Sequence, residues 1–322
     1  MAVNNRMFLK YLYGNSRIKE IFSGSSVSHA YILEGPKGSG KHTAALEIIA
    51  SLVCFTRNDS ESPLPLPCHE CPACKKIFNN HYVDIIYIDN NDKTTLGVDQ
   101  IRKIKDTLYT SPNEGSKKFY IIENAHLMTD EAQNALLLSL EEPPSFVMFF
   151  LLCESSDNLL DTIKSRAHIM KMELFKEEDI VSYVTERYGS LYDENMIKKA
   201  SQNSFGTIGR TISYLENPNN PEYEIQNLAI SFVENWMEHT LSETLAFVSN
   251  DIIAKKMTKN EICSMLDYSL NKIGSSMTSS NTSKQSVKKM LKIVNAINIA
   301  KEQILSNCNQ MVVLYSMVLN SI

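Results

Sequence analysis

The stretch that decides the fold is Tyr31-Ile32-Leu33-Glu34-Gly35-Pro36-Lys37-Gly38-Ser39-Gly40-Lys41-His42. Its first residues form a short apolar run that predicts a strand, and residues Thr43–Leu52 have the apolar spacing of a helix. The turn between them fits the pattern G-x-x-x-x-G-K, in which glycines let backbone N–H groups converge on phosphate oxygens and the lysine adds a positive charge. We therefore predict a phosphate loop. Its binding residues would be Gly35, Gly38, Gly40 and Lys41.

The residue after Lys41 departs from this pattern. A Ser or Thr normally stands there, and its hydroxyl coordinates Mg²⁺. Here the position holds His42, and an imidazole is a poor ligand for a cation that prefers oxygen. Thr43 comes one residue late, about 100° further round the helix. The sequence thus predicts a vestigial or weak site for ATP or ADP, without the usual Mg²⁺ geometry.

A second departure follows the apolar strand predicted at Phe119–Ile122. Phosphate-loop ATPases hold Mg²⁺ through an Asp at the end of a neighbouring strand, and in many of them the next residue is a Glu that activates water. In this chain Glu123 takes the first place and Asn124 the second. An amide cannot accept a proton, so the general base is missing. Both departures predict an ATPase fold that has lost efficient hydrolysis.

Further segments alternate between strand and helix up to about residue 172. Strands are predicted at Val83–Ile88 and Phe146–Leu152, and helices at Asp99–Leu108 and Asp130–Leu140. This alternation predicts an α/β domain with a parallel sheet and helices on both faces. Beyond it we find only helical periodicity, with long helical patterns at Tyr223–Ser249 and Val287–Leu319 and a Ser/Thr-rich loop at Gly274–Ser286. We predict three domains: the α/β domain at 1–172, a small helical domain at 173–220 and an all-helical domain at 221–322.

Composition limits the class of protein further. The 322 residues are 43% hydrophobic and 21% charged, as in ordinary globular proteins. A net charge of −5 argues against this chain wrapping nucleic acid by itself. Its N-terminus lacks the apolar core of a secretory signal, and its apolar stretches are far shorter than the roughly 20 residues of a membrane span. We expect a cytoplasmic protein with no membrane contact, where disulfides are rare.

Four of the seven cysteines lie close together in the sequence. Cys68, Cys71 and Cys74 have the spacing C-x₂-C-x₂-C, and Cys54 adds a fourth thiolate. Four thiolates close a tetrahedral Zn²⁺ shell and leave no open position, so we predict a structural zinc module at about residues 54–74. Unligated thiols and an iron–sulfur cluster are the alternatives. His69 is expected to face solvent, because four cysteines make a fifth ligand unnecessary.

Taken together, these residues resemble the bacterial DNA polymerase III clamp-loader family, within the AAA+ ATPases. The resemblance covers most of residues 20–170. Besides the phosphate loop and the cysteines, it is carried by His29-Ala30-Tyr31, Val98-Asp99-Gln100-Ile101-Arg102, Asn134-Ala135-Leu136-Leu137, Leu140-Glu141-Glu142-Pro143-Pro144 and Ser165-Arg166. It is strongest to the delta-prime type of subunit, because motor subunits of the gamma/tau type keep a Thr after the loop lysine and an intact Asp-Glu pair.

The resemblance implies roles for two arginines. Arg166, in Ser165-Arg166-Ala167, stands where the family places an arginine finger that reaches the ATP site of a neighbouring subunit. Without that context it would be interpreted as a surface or ion-paired arginine. Arg210 stands where AAA+ proteins place a nucleotide-sensing residue in the lid, and a solvated arginine at a helix start is the equal alternative.

The resemblance also implies a function. The chain would be a non-motor subunit of the DNA polymerase III holoenzyme, with no ATPase activity of its own. It would form a ring with gamma/tau and delta subunits through a C-terminal collar at 221–322, with a lid at 173–220, and would help to load a sliding clamp onto primer-template DNA. An active gamma/tau-like ATPase, with Glu123 serving Mg²⁺, is the first alternative. A phosphate-loop small-molecule kinase ranks lower, and a free-standing zinc nucleic-acid binder is disfavoured by the acidic charge.

Overall fold

The structure, a computed structural model, describes residues 15, 28–55, 67–90, 94–277 and 284–320. Residues 56–66 of the predicted zinc module lie outside this part. The chain divides into two compact units, Met1–Lys176 with Gly206–Arg210, and Glu177–Phe205 with Thr211–Ile322. The separate lid and collar, with their boundaries at 172/173 and 220/221, stay predictions.

A five-stranded sheet forms the centre of the first unit. Its strands are β1 (Ala30–Glu34), β2 (Ile85–Ile88), β3 (Lys118–Ile122), β4 (Val147–Cys153) and β5 (His168–Lys171). They run parallel in the order β2-β3-β4-β1-β5, so the carboxyl ends of β3, β4 and β1 lie side by side at one edge of the sheet. The predicted parallel sheet is confirmed. Strand β5 was not predicted.

Helices cover both faces of this sheet, as predicted. They are α1 (Lys41–Val53), α2 (Pro72–Phe78), α3 (Val98–Leu108), α4 (Asp130–Glu141) and the short α5 (Asp161–Lys164). Side chains alternate along β1: Tyr31 and Leu33 pack on the face covered by α1 and α2, whereas Ala30 and Ile32 pack on the opposite face with α3 and α4. Because side chains alternate along a strand, this one segment contributes residues to the apolar cores on both faces of the sheet.

A fully buried carboxylate, Asp84, organises the loop before β3. Its two oxygens accept hydrogen bonds from the backbone N–H groups of Asn113, Glu114 and Gly115 at 2.7, 2.8 and 3.3 Å, and from the Asn113 side chain at 3.1 Å. These charge-assisted bonds satisfy the loop donors and fix where β3 begins.

We predict that Asp84→Ala lowers the free energy of unfolding by about 3 kcal/mol, because it leaves several backbone donors without their acceptor. The conservative Asp84→Asn, which keeps one acceptor oxygen, should cost less. Urea unfolding followed by circular dichroism measures both variants. Equal stability of Asp84→Ala and the wild type would contradict this role.

The second unit contains helices only, within the residues described. They are α6 (Glu177–Tyr188), α7 (Glu194–Gln202), α8 (Ile208–Glu216), whose first residues belong to the first unit, α9 (Pro221–Glu238), α10 (Leu241–Phe247), a π-helical turn (Val248–Ile252), a 3₁₀ turn (Ile253–Lys255), α11 (Lys259–Met277), α12 (Lys284–Leu305) and α13 (Gln310–Leu319). Trp236, the single tryptophan of the chain, is 5% exposed in its core beside Phe232. None of the described helices is both long and apolar enough to span a membrane.

Two long helical patterns in the sequence prove to be broken. The helical periodicity predicted over residues 223–249 is divided between two helices, because α9 ends at Glu238, and Thr240 and Glu243 form a capping box that starts α10. Residues 287–319 divide at Asn307, which has a left-handed φ of 64°. Of the loop predicted at 274–286, residues 274–277 belong to α11, which ends at Met277, and residues 284–286 belong to α12, which begins at Lys284; residues 278–283 lie outside the described part.

Candidate functional site

The phosphate loop lies between β1 and α1, at the carboxyl edge of the sheet. Gly38 and Gly40 have positive φ angles of 82° and 90°, so each has a backbone conformation that favours glycine. Lys41 begins α1, and its Nζ donates to the carbonyl oxygens of Gly35 and Pro36 at 2.5 and 2.9 Å. The hydroxyl of Ser39 is buried and has no hydrogen-bond partner among the described residues. The loop therefore has the form, the donors and the charge of an anion cradle.

Burial and neighbouring charges shift the pKa of Lys41. Burial lowers this pKa, and the negative potential of Glu154 and Glu123 acts in the opposite direction. Glu154 was not predicted from the sequence, although it directly follows β4 and so belongs to the same sheet edge as the loop. Burial, foremost, raises the pKa of Cys153 to about 12, so this thiol is neutral at physiological pH.

His42 and Glu123, the two residues that replace Mg²⁺ ligands in the motif, contact each other. His42 Nε2 lies 3.7 Å from Glu123 Oε1, and both side chains are partly exposed, at 42% and 31%. The imidazole stacks on the ring of Tyr87 at a centroid distance of 5.9 Å. Burial raises the pKa of Glu123, and the nearby His42 and Lys41 act to lower it. The Glu123 carboxylate thus has an imidazole as its neighbour at the position where the motif would place a hydroxyl.

The donor set does not fit the Mg²⁺ ion that this class of fold implies. A magnesium site needs oxygen ligands in near-octahedral geometry. The first ligand position carries a nitrogen, and Thr43 lies in the first turn of α1, where it is partly buried. Asn124 has a left-handed φ of 49° and starts the 3₁₀ turn Ala125–Leu127, so an amide stands at the strand end where a base is needed.

The start of α8 packs against the phosphate loop. The backbone N–H of Gly209 donates to the carbonyl oxygen of Gly38 at 3.0 Å. A Cβ added to Gly38 would lie 2.8 Å from the backbone nitrogen of Arg210, and one added to Gly209 would lie 2.7 Å from the Gly38 oxygen. Arg210 is close enough to contribute positive potential at Lys41. The predicted nucleotide-sensing residue therefore lies beside the loop.

The four clustered cysteines converge on one point. Their sulfur atoms all lie within 4.8 Å of one another, with Cys54 to Cys71 and Cys68 to Cys74 both at 4.0 Å. These distances are close to the about 3.8 Å between sulfurs of a tetrahedral Zn–S₄ centre with ordinary bond lengths, and far beyond a disulfide bond. The residues fit a metal ion in number, chemistry and spacing.

Backbone donors support these sulfurs. The N–H groups of Cys71 and Glu70 point to Cys68 Sγ at 3.2 and 3.5 Å, that of Cys68 to Cys54 Sγ at 3.4 Å, and that of Cys74 to Cys71 Sγ at 3.5 Å. Such donors stabilise thiolates and orient them toward a metal. The burial of Cys74 raises its pKa above the usual range, which a bound cation would oppose.

His69 does not face solvent, contrary to the prediction. Its side chain is 7% exposed, and its Nε2 lies 3.4 Å from a carboxylate oxygen of the fully buried Glu47 in α1. It also stacks on Phe78, with ring centroids 4.7 Å apart. The prediction considered only metal ligation; the left-handed backbone of His69, φ 59°, turns the ring inward against α1 instead. The cysteine module is therefore anchored to the helix that begins at the phosphate loop.

Arg166 lies just after α5, and its side chain is 35% exposed. The guanidinium donates to the Thr162 carbonyl oxygen at 3.0 Å and pairs with Glu141 of α4 at 3.0 Å. These contacts hold the Arg166 guanidinium at the protein surface, with partners on α4 and α5 rather than in the chain's own phosphate loop.

One buried residue that the sequence did not single out, Gln133 of α4, fixes the segment leading to Arg166. Its Oε1 accepts from the Leu160 N–H at 2.8 Å, and its Nε2 donates to the carbonyl oxygens of Asn158 and Met128 at 3.0 and 3.3 Å. Leu160 caps α5, so this amide sets the start of the short helix that carries the arginine.

A parallel sheet in this order, with a phosphate loop after β1, an acidic residue after β3 and a helical second unit, defines an AAA+ type of phosphate-loop domain. A family model described as "DNA polymerase III, delta subunit" matches residues 15–176, half of the chain. The chain belongs to this DNA polymerase III family.

Named relatives agree with this assignment. The gamma subunit of DNA polymerase III from Buchnera aphidicola subsp. Acyrthosiphon pisum is 32% identical over 255 residues, which is 77% of this chain and 66% of that protein. The delta' subunit from Bacillus subtilis is 32% identical over 55% of this chain and 52% of its own length. The chain thus spans under two thirds of either relative.

The fold as a whole matches a solved structure. A DNA polymerase III gamma subunit-related protein from Thermotoga maritima superposes with a TM-score of 0.50 at 19% identity, over 95% of this chain and 97% of that one. At this identity the likeness shows the fold, and the predicted combination of an α/β phosphate-loop domain with a helical C-terminal region is confirmed.

Proposed function

We propose that the chain is a non-motor, delta-prime-like subunit of the DNA polymerase III clamp loader, acting in the cytoplasm. The observation that carries this proposal is the composition of the chain's own nucleotide site. The His42 imidazole lies 3.7 Å from the Glu123 carboxylate, and Asn124 stands at the position of the general base. Without a Mg²⁺ ligand pair and a base, the chain cannot run efficient phosphoryl transfer by itself. Its contribution would lie in the ring that it completes.

The partners in this proposal are gamma/tau and delta subunits, and through the assembly the sliding clamp and primer-template DNA. Arg166 would serve the ATP site of a neighbouring gamma/tau subunit as an arginine finger. Its support in the structure is a partly exposed guanidinium at the end of α5, on a segment that Gln133 holds in place. A rigid mounting suits a residue that must reach into another chain.

We propose zinc as the metal of the cysteine cluster. Four sulfurs at tetrahedral spacing leave no open position, so the ion would be structural. Its place beside α1 suggests that it stabilises the helix that follows the phosphate loop.

A second candidate is an active gamma/tau-like ATPase, which the identity to gamma subunits favours. The purified chain decides between the two. We predict steady-state ATP hydrolysis below about 0.1 s⁻¹ for the chain alone, under the range of ordinary enzymes. Adding it to a gamma/tau-type and a delta-type partner should then raise DNA-dependent hydrolysis and clamp loading. Turnover by the chain alone at ordinary enzyme rates would replace the first candidate with the second.

A further inference from the structure

We infer that the phosphate loop of this chain binds the phosphates of an adenine nucleotide without a divalent metal ion, with the His42 imidazole filling the place of the ion beside Glu123. This inference deepens the proposed function, because it concerns the nucleotide site of the same non-motor subunit.

The loop itself retains what anion binding needs. The Gly38 and Gly40 conformations are those of a loop whose N–H groups can turn toward a ligand, and α1 begins directly after it. The Ser39 hydroxyl is buried and has no hydrogen-bond partner in the described part of the chain. Because buried hydroxyls are usually hydrogen-bonded, this group is available to donate to a ligand oxygen. Lys41 sits at the same point with a primary ammonium group.

The metal position, in contrast, is already filled. His42 Nε2 is 3.7 Å from the Glu123 carboxylate, and its ring stacks beside that of Tyr87, with a centroid distance of 5.9 Å and 22° between the ring planes. The Tyr87 hydroxyl donates to Asn80 at 3.2 Å, so the wall behind the imidazole is itself held in place. A Mg²⁺ ion would have to displace this ring and would gain no hydroxyl ligand in return.

An imidazole can do part of the ion's work. In either protonation state it offers at least one N–H donor, which can meet a phosphate oxygen or the Glu123 carboxylate. It thereby separates the nucleotide phosphates from Glu123, a like-charge contact that Mg²⁺ relieves in the usual site. Added Mg²⁺ should therefore bring no extra affinity.

The experiment measures binding of ADP and ATP to the purified full-length chain by calorimetry, once with excess EDTA and once with excess MgCl₂. The wild type should bind with dissociation constants that agree within about twofold between the two conditions. His42→Thr restores the missing hydroxyl, and Mg²⁺ should tighten its binding by about tenfold or more. Lys41→Ala should lose binding in both conditions.

The matched control is His239→Thr in the second unit. His239 also faces a glutamate, Glu243, at 3.6 Å, and both side chains are partly exposed. This variant should bind like the wild type, and a thermal melt of each variant checks that it folds.

Three results would overturn the inference: no nucleotide binding by the folded wild type, a tightening of wild-type binding by about tenfold with Mg²⁺, or no gain of Mg²⁺ dependence in folded His42→Thr. All three are read from the chain alone. A failure of the ring-completing function would appear only with partner subunits present, so the two failures are distinguishable.

Discussion

Replacing Arg166 with alanine is expected to slow ATP hydrolysis at the neighbouring subunit's site by about 10³-fold or more, in a clamp-loader assembly stimulated by primed DNA. The guanidinium would stabilise negative charge on the transferring phosphoryl group, and alanine offers no donor there. Because the side-chain hydrogen bonds and ion pair of Arg166 within the described residues, to Thr162, Ser165 and Glu141, lie at the surface, the chain should fold and assemble normally. Single-turnover hydrolysis by the assembled ring measures the effect.

Two further variants sharpen this result. Arg102→Ala is the matched control, because Arg102 is also an exposed arginine paired with an acid, Asp99, at 3.0 Å. It should leave hydrolysis unchanged. Arg166→Lys keeps the charge without the planar fork and should recover only part of the rate. Wild-type rates in an assembly carrying Arg166→Ala would refute the assignment of the finger.

Removal of the proposed zinc ion is expected to have the second large effect. A structural zinc ion stabilises small modules by many kcal/mol, so we expect Cys74→Ser or complete chelation to lower the free energy of unfolding of the first unit by about 4 kcal/mol or more. Cys74 is fully buried, and its loss both opens the metal shell and leaves a hydroxyl among thiolates. Metal content by mass spectrometry and urea unfolding measure the two consequences.

Cys308→Ser provides the control for this prediction, because Cys308 is exposed and lies outside the cluster. It should retain both the metal and the stability of the wild type. If the purified wild type held no tightly bound metal, or Cys74→Ser were as stable as Cys308→Ser, a structural zinc site would be excluded.

The parts of the fold that could be predicted were those encoded by local patterns. The glycine-rich turn, the β-branched strands and the helix at 130–141 all carry their signal within a few residues. Strand β5 carries none, because its residues His168–Lys171 are mostly exposed and form no apolar run; it becomes a strand only by pairing with β1. The breaks at 239–240 and 307 depend on capping residues that a periodic pattern does not weigh.

In the candidate site, too, the features encoded within one segment could be predicted, and those that depend on distant partners could not. Cysteine and glycine spacings identified the cysteine cluster and the phosphate loop, since each is contained in one segment. Glu47, Glu154 and Gln133 were missed, because their importance arises from partners 22 or more positions away in sequence: His69, Lys41 and Leu160, respectively. Contacts of that kind follow from strand order, which no single motif specifies.

Trp236 gives only one of the two units a tryptophan fluorescence signal. As the single tryptophan, buried at 5% exposure in the helical unit, it makes tryptophan fluorescence a signal of that unit alone. The four clustered cysteines lie entirely in the other unit, where a chromogenic chelator or a cobalt spectrum would follow the proposed metal ion. Tryptophan fluorescence and metal-dependent absorbance can thus report separately on the two units in one sample, without any added label on the protein.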